Sequence, residues 1–256
     1  LPASDKGHAR VPIRWRIEEK YLLDEAAFLQ LCWQLRPVLS TDPHARPLPG
    51  EPLSAYRIRS LYWDTEERHG LAEKLAGSDP RHKFRIRIYD GQDRIIHLEK
   101  KMRRGARTAK RITPLTREQV DRILSGDLDW LADRPGLGAE LHLGHRTRRL
   151  VPRVLVDYLR IPLVFPPLGI RITFDRHLSS GLYRTDLFDP GAALFPILPP
   201  GATILEIKTD RILPDFLRRM LPLDGAIPLA LSKYALCCRA IEPGRWADPQ
   251  ALWLDP

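Results

Sequence analysis

The sequence predicts an α+β fold, mainly antiparallel β: a closed barrel of about eight strands with a polar, charged lumen, flanked by helices. Three observations lead there. Segment after segment alternates charged and apolar residues with the period of two that sends neighbours to opposite faces of a strand. The apolar faces, such as Phe84/Ile86/Ile88, are rich enough to pack against helices. The charged faces repeat arginine and Glu-x-Lys pairs, whereas solvated sheet faces mix Thr, Ser, Gln and Lys.

The elements follow in order. Arg14 to Leu22 (RWRIEEKYL) sets Arg14, Arg16, Glu18 and Lys20 against Trp15, Ile17 and a less regular Glu19. Asp24 is placed to cap a helix in which Ala27, Phe28, Leu31 and Leu35 recur at helical spacing. Ser40 to Pro52 is proline-rich and reads as loop. Tyr56 to Asp64 is a second alternating strand, and Glu66 to Ala76 a short helix. His82 to Gly105 reads as two strands and a turn. Its first arm alternates Lys83, Arg85 and Arg87 with Phe84, Ile86 and Ile88. Its second carries His97, Glu99 and Lys101 between Ile96 and Leu98, with Lys100 breaking the pattern. Thr116 and Gln119 have capping-box spacing ahead of Val120, Ile123 and Leu124, and that helix runs to Gly126. Strands resume at Arg153–Phe165, Gly169–Ser179 and Ala202–Asp210. Helices at Pro214–Leu221 and Ser232–Ala240 complete the chain's regular structure. No internal repeat or low-complexity tract is visible.

The charged faces decide what kind of barrel this is. Arg16, Glu18 and Lys20 share one face; Arg85 and Arg87, Glu99 and Lys101, Arg171, Thr173 and Asp175, and Glu206 and Lys208 share four others. A closed barrel turns these faces inward, around a narrow lumen. Two like charges 4 Å apart repel by about 4 kcal/mol at an effective dielectric near 20. A multiply charged anion would relieve that repulsion and leave the carboxylates for a cation.

Composition agrees. Lysine plus arginine number 41 against 32 aspartate plus glutamate, a net charge of +9 that favours an anionic partner. With 43% hydrophobic residues the chain is globular. Its 256 residues read as a single domain over 1–256, with a core from about 11 to 241 and short irregular termini. Cys32, Cys237 and Cys238 form no CxxC pair, which suits a reducing compartment. No apolar run approaches the roughly 20 residues of a membrane span, and no leader pattern opens the sequence. A cytoplasmic, prokaryotic setting is expected. Nucleic acid is not the expected partner, because no aromatic stacking set accompanies the basic residues.

In the same order along the chain, RWRIEEKYLL, YRIRSLYWDT, KFRIRIY, HLEKK, IRITFDR, ILEIK and LSKY resemble the VTC (vacuolar transporter chaperone) polyphosphate polymerase domain. That family belongs to the CYTH-like triphosphate tunnel metalloenzymes. The resemblance spans about Arg14 to Arg239. It implies an eight-stranded tunnel binding a triphosphate with Mn2+ or Mg2+, and transfer of the γ-phosphate of ATP onto growing polyphosphate. The family's inositol-phosphate-sensing region and transmembrane segment have no counterpart here, so a membrane or protein partner is left open.

The resemblance also assigns residues. Lys20 matches a lumen lysine near the transferred phosphate. Arg85 and Arg87 match arginines that grip triphosphate oxygens, where the guanidinium fork gives bidentate contact. Lys101 and Lys110 match further basic positions, as do Arg160 and Arg171. Arg16, Lys83 and Lys208 share the same charged faces and join the phosphate-binding set. Glu206 matches the metal-binding glutamate, and hard carboxylate oxygens suit Mg2+ or Mn2+ bridged to phosphate. Glu18 and Glu99 either orient basic neighbours or join the metal's outer shell. Ser232 and Lys233 match a phosphate-binding pair at a helix start.

Plainer roles fall to the remaining residues. Lys100, Arg103, Arg104, Arg107 and Arg111 are expected on a solvated rim, and His82 and His97 are incidental. Tyr234, Cys237 and Cys238 are expected to pack on a helix face. Asp175 either bridges an arginine or binds metal. Two other functions fit the same lumen: a triphosphatase, with water as acceptor, and a non-catalytic polyphosphate-binding module.

Overall fold

The computed structural model describes residues 13–221 and 228–240. Eight long strands close into a barrel: β1 (Arg16–Leu23), β3 (Tyr56–Asp64), β4 (Arg81–Tyr89), β5 (Gln92–Arg104), β6 (Arg107–Leu115), β7 (Val151–Phe165), β8 (Ile170–Ser180) and β10 (Thr203–Thr209). Two-residue strands β2 (Ser40–Thr41) and β9 (Phe195–Pro196) attach to β7 and β8. Around the barrel the order is β7–β3–β4–β5–β6–β1–β10–β8, and β8 pairs back to β7 to close it. Every pairing is antiparallel.

The predicted hairpin is β4–β5, and its turn is chemically specified. Asp90 and Gly91 both have positive φ, 54° and 69°, the backbone that a two-residue turn between twisted strands requires and that Asp-Gly adopts readily. Tyr89 therefore faces Gln92, and the register places Lys83 opposite Lys101 and Arg85 opposite Glu99.

Six helices flank the barrel among the described residues: α1 (Glu25–Leu35), α2 (His69–Leu75), α3 (Arg117–Leu124), α4 (Leu137–Arg148), α5 (Asp215–Met220) and α6 (Lys233–Arg239). Asp24 caps α1 by accepting from the Ala27 N–H at 2.8 Å, and Thr116 and Gln119 form the expected capping box at α3. The helix α1 buries Phe28, Leu31, Cys32 and Leu35 against the outer faces of β1, β8 and β10, with Phe28 edge-on to Phe174. Full burial of such side chains contributes about 1.5–3 kcal/mol each. The helices α3 and α4 cover Phe84, Ile86, Ile88, Ile96 and Leu98. At α6 the arrangement differs: this helix packs against Ile58, Tyr62, Tyr158 and Ile204, residues of the inner face.

The alternation reading thus holds, with apolar faces outward under helices and charged faces inward. The helix α4 was not foreseen. Its leading residue Gly136 has φ 98° and gives no side-chain cap, and Gly144 sits mid-helix. Packing explains Gly144: a Cβ there would lie 2.6 Å from Leu150 Cδ1.

Candidate functional site

The inward faces enclose a cavity of about 480 Å³. Arg16, Glu18 and Lys20 reach it from β1; Lys83, Arg85 and Arg87 from β4; Lys101 and Lys110 from β5 and β6. Arg160, Arg171, Glu206 and Lys208 close the far side, and Ser232 and Lys233 enter from the start of α6. Of the predicted site residues only Glu99 is not on the wall. It is fully buried one layer behind.

Register creates the electrostatics. Lys83, Lys101 and Lys110 lie directly opposite one another across β4, β5 and β6. Arg81 and Arg103 repeat the pattern at the rim. Like charges directly opposite in a sheet are destabilising, and burial of a lysine without full compensation lowers its pKa. Burial pushes Lys83 down to about 7. Burial also takes Lys101 to about 7, against the pull of Glu18 and with Lys20 and Lys208 adding repulsion. Lys110, whose side chain is 44% exposed at the cavity edge, falls less far, to about 8, as loss of water outweighs its contact with Glu99.

Carboxylates hold this array together from within. Glu18 accepts from Lys101 at 2.7 Å and from the Thr108 hydroxyl at 3.1 Å, and meets Lys20 at 2.5 Å. Burial would raise its pKa, but Lys101, Lys20 and Lys208 outweigh that and hold it well below the usual carboxylate range. Glu99 accepts from Arg85 Nε at 2.7 Å and from Lys110 at 3.0 Å. It too overcomes burial and stays ionised, through Arg85, Arg87 and Lys110. These two contacts orient Arg85 and Lys110. Asp175 takes two hydrogen bonds from Arg160, at 2.6 and 2.7 Å, and an ion pair from Lys233 at 2.5 Å. Its arginine-bridging role is the one seen.

Glu206 stands apart. It is 3% exposed, with Lys208 against it and Lys20 and Arg160 at 3.8 and 3.7 Å. Among the described residues its Oε1 receives no well-directed hydrogen bond despite the Lys208 contact, and the Thr173 hydroxyl, on the residue opposite in β8, also has no partner.

The sequence did not reveal the tyrosines of the wall. Arg85 donates to the Tyr62 hydroxyl at 2.6 Å, Arg87 to Tyr158 at 3.2 Å and Arg171 to Tyr56 at 2.7 Å. Only cross-strand register brings these pairs together, although every second residue of YRIRSLYWD already pointed inward. Asp42 on Arg171 (2.7 Å) and Asp210 on Arg16 (3.0 Å) were missed for the same reason. Lys100 and Arg111, expected on a solvated rim, instead pair with Glu140 of α4. Arg103 is exposed at the cavity mouth, in keeping with a rim, and His82 also lines the cavity. Ser232 lines the cavity, and its hydroxyl also accepts from the Ala235 N–H at 3.4 Å, capping α6.

A family model for the VTC domain matches residues 15–241, from the first strand past α6. The chain belongs to the VTC domain family. The closed barrel with its flanking helices is the triphosphate-tunnel architecture of that family, and a role with triphosphate or polyphosphate follows at that level. Among solved structures, this VTC domain is similar to the PH1819 protein of Pyrococcus horikoshii, at 12% identity over 88% of this chain and 99% of the other, TM-score 0.45. It is also similar to a Bacillus halodurans protein provisionally described as an adenylate cyclase, at 13% identity over 86% and 95%, TM-score 0.49. A Vibrio parahaemolyticus protein with the same provisional description shares 14% identity over 83% and 87%, TM-score 0.41. Compared directly with curated proteins, the sequence matches none at a significant level. Among the described residues, no helix of this VTC domain is long and apolar enough to cross a membrane.

Proposed function

We propose that this VTC domain is a polyphosphate polymerase, transferring the γ-phosphate of ATP onto the end of a polyphosphate chain inside the barrel. The observation that carries the reading is the row Lys83–Lys101–Lys110, three ammonium groups set face to face across neighbouring strands. Such a row is costly when empty and is relieved by a ligand with several negative charges in line. Arg87 adds to the case, because among the described residues its buried guanidinium donates only to the hydroxyls of Ser60 and Tyr158.

The carboxylates bear on the metal. Among the described residues no three His, Cys, Asp or Glu side chains are grouped to cage an ion. Mg2+ and Mn2+ bound to a triphosphate need only one or two carboxylates, the rest of the shell being phosphate and water. Glu206, with its buried and poorly satisfied Oε1, and Glu18 across β1–β10 fit that requirement. The ion would neutralise charge on the triphosphate as it reacts.

Phosphoryl transfer passes through a loose transition state, so the protein's work is to position groups and stabilise charge. Arg85 and Arg87 grip the transferred phosphate and are themselves fixed by Glu99, Tyr62 and Tyr158. Lys20, Lys101 and Lys208 swing from Glu18 and Glu206 to phosphate oxygens. The terminal oxygen of the chain attacks the γ-phosphorus in line, a new P–O bond forms, and the bond to the β-phosphate breaks with its electrons leaving on ADP. Arg16, Arg81 and Arg103 at the mouth carry the basic surface beyond the length of one triphosphate.

Incubation with ATP and Mn2+, following ADP, free phosphate and polyphosphate on a gel, tests this. The expected result is a polyphosphate ladder with matching ADP, lost in Arg85→Ala and Glu206→Gln. Free phosphate without a ladder would make the protein a triphosphatase, and tight polyphosphate binding without turnover would make it a binding module.

A further inference from the structure

The helix α6 is seven residues long, too short to hold a helical shape alone, yet its first turn presents Ser232, Lys233 and Tyr234 to the lumen. Lys233 is anchored by Asp175. Tyr234 is anchored differently. Its hydroxyl donates to the Asp64 carboxylate in a short buried contact. Asp64 cannot follow if Tyr234 shifts, because it also accepts from the backbone N–H groups of Thr65 (2.8 Å), Gly70 (2.7 Å) and Leu71 (3.0 Å). The packing is close: a Cβ on Gly70 would lie 3.0 Å from the carboxylate. The hydroxyl of Tyr234 is thus pinned where the end of β3 meets the start of α2.

The ring of Tyr234 has a second task. Lys83 Nζ lies 4.1 Å from its centroid. Among the described residues no carboxylate is within ion-pair reach of Lys83, and its neighbour across β5 is another cation, Lys101. A ring face attracts an ammonium group through its quadrupole. Unlike a carboxylate, it does so without cancelling the positive charge. Lys83 is therefore seated but still available to an anion.

We propose that Tyr234, pinned by Asp64, is a positioning residue that holds the Lys83 ammonium toward the polyanion in the lumen. The proposal rests on the polyphosphate reading above and adds a residue to it. Tyr234 then does more than pack on a helix face, since it links the α2–α6 junction to the lysine row.

A double-mutant cycle on tripolyphosphate binding by calorimetry tests the link. Tyr234→Phe should weaken binding severalfold and Tyr234→Leu about tenfold, while either change costs less than about twofold once Lys83 is already Met. Equal losses in both backgrounds would overturn the proposal, since a merely structural tyrosine acts independently of Lys83. Should Tyr234→Leu not fold, Tyr234→Phe alone completes the cycle. Wild-type protein that binds no tripolyphosphate would sink the polyphosphate reading. The seating is then decided by trinitrobenzenesulfonate labelling of Lys83, read by mass spectrometry. A rise in labelling of about threefold or more in Tyr234→Phe supports it, and unchanged labelling overturns it.

Discussion

On the β7–β8–β10 side of the lumen, buried and half-buried charges have met their opposites: Arg160 and Lys233 share Asp175, Lys208 lies on Glu206, and Arg171 is held by Asp42. On the β4–β5–β6 side the cations outnumber their partners. Lys83 rests on an aromatic ring, Arg87 on hydroxyls, and Lys101 and Lys110 share Glu18 and Glu99 with other cations. One barrel thus contains a wall that is stable as it stands and a wall that is completed by an anion. Both walls face the ligand, but loss of a partner on the first costs stability most and loss of a cation on the second costs affinity most, which separates the effects of substitution into two kinds.

The largest expected effect lies on the paired wall. Asp175 is fully buried and serves two cations. Removing one partner of a buried ion pair leaves an uncompensated charge and costs about 3–5 kcal/mol. Asp175→Asn should therefore lower the free energy of unfolding read from urea titration by about 3–5 kcal/mol, with tripolyphosphate restoring little. A variant as stable as wild type would show that the two walls do not differ in this way.

The cation-rich wall should respond to pH in the opposite sense. Lys83 and Lys101 titrate near 7 and Lys110 near 8 when the lumen is free, against about 10.4 for an unfolded chain. Between those values the unfolded state binds more protons, so these groups make the free protein more stable as pH rises from 7 toward 10. A bound polyanion restores their protons, so its affinity should fall from pH 6 to 9, by about tenfold for each pKa unit regained. Calorimetry in buffers of different ionisation enthalpy should show proton uptake on binding. Affinity that is flat across this range would mean the lysine row does not touch the ligand.

These contrasts also mark what could be read in the sequence. The face of each strand was legible, because alternation with a period of two is local and the Glu-x-Lys and Arg-x-Arg pairs fall on one side. The hairpin was legible from its two alternating arms. Which charge meets which was not, because register is set by bulges and closure. The pairing shifts at Tyr62/Trp63, at Ile88/Tyr89 and between Asp157 and Leu159. The acceptor role of Tyr62 and the buried role of Glu99 follow from that register alone. The helix α4 was hidden because tertiary packing, rather than a cap or a strong amphipathic pattern, holds it in place.

The smallest effect sharpens the comparison, because it uses the same strands turned the other way. Lys100 and Arg111 alternate with Lys101 and Lys110 on β5 and β6, face outward, and both pair with Glu140 of α4. These groups are a fifth to a third exposed, and ion pairs open to solvent contribute about 0–1 kcal/mol. Glu140→Gln should lower the free energy of unfolding read from urea titration by no more than about 1 kcal/mol and leave tripolyphosphate affinity within about twofold of wild type. Moving one residue along either strand therefore exchanges a cation that waits for phosphate for one already neutralised by a helix. If Glu140→Gln instead altered binding severalfold, outer charge would be reaching the lumen, and the barrel wall would not isolate the two faces as its alternation requires.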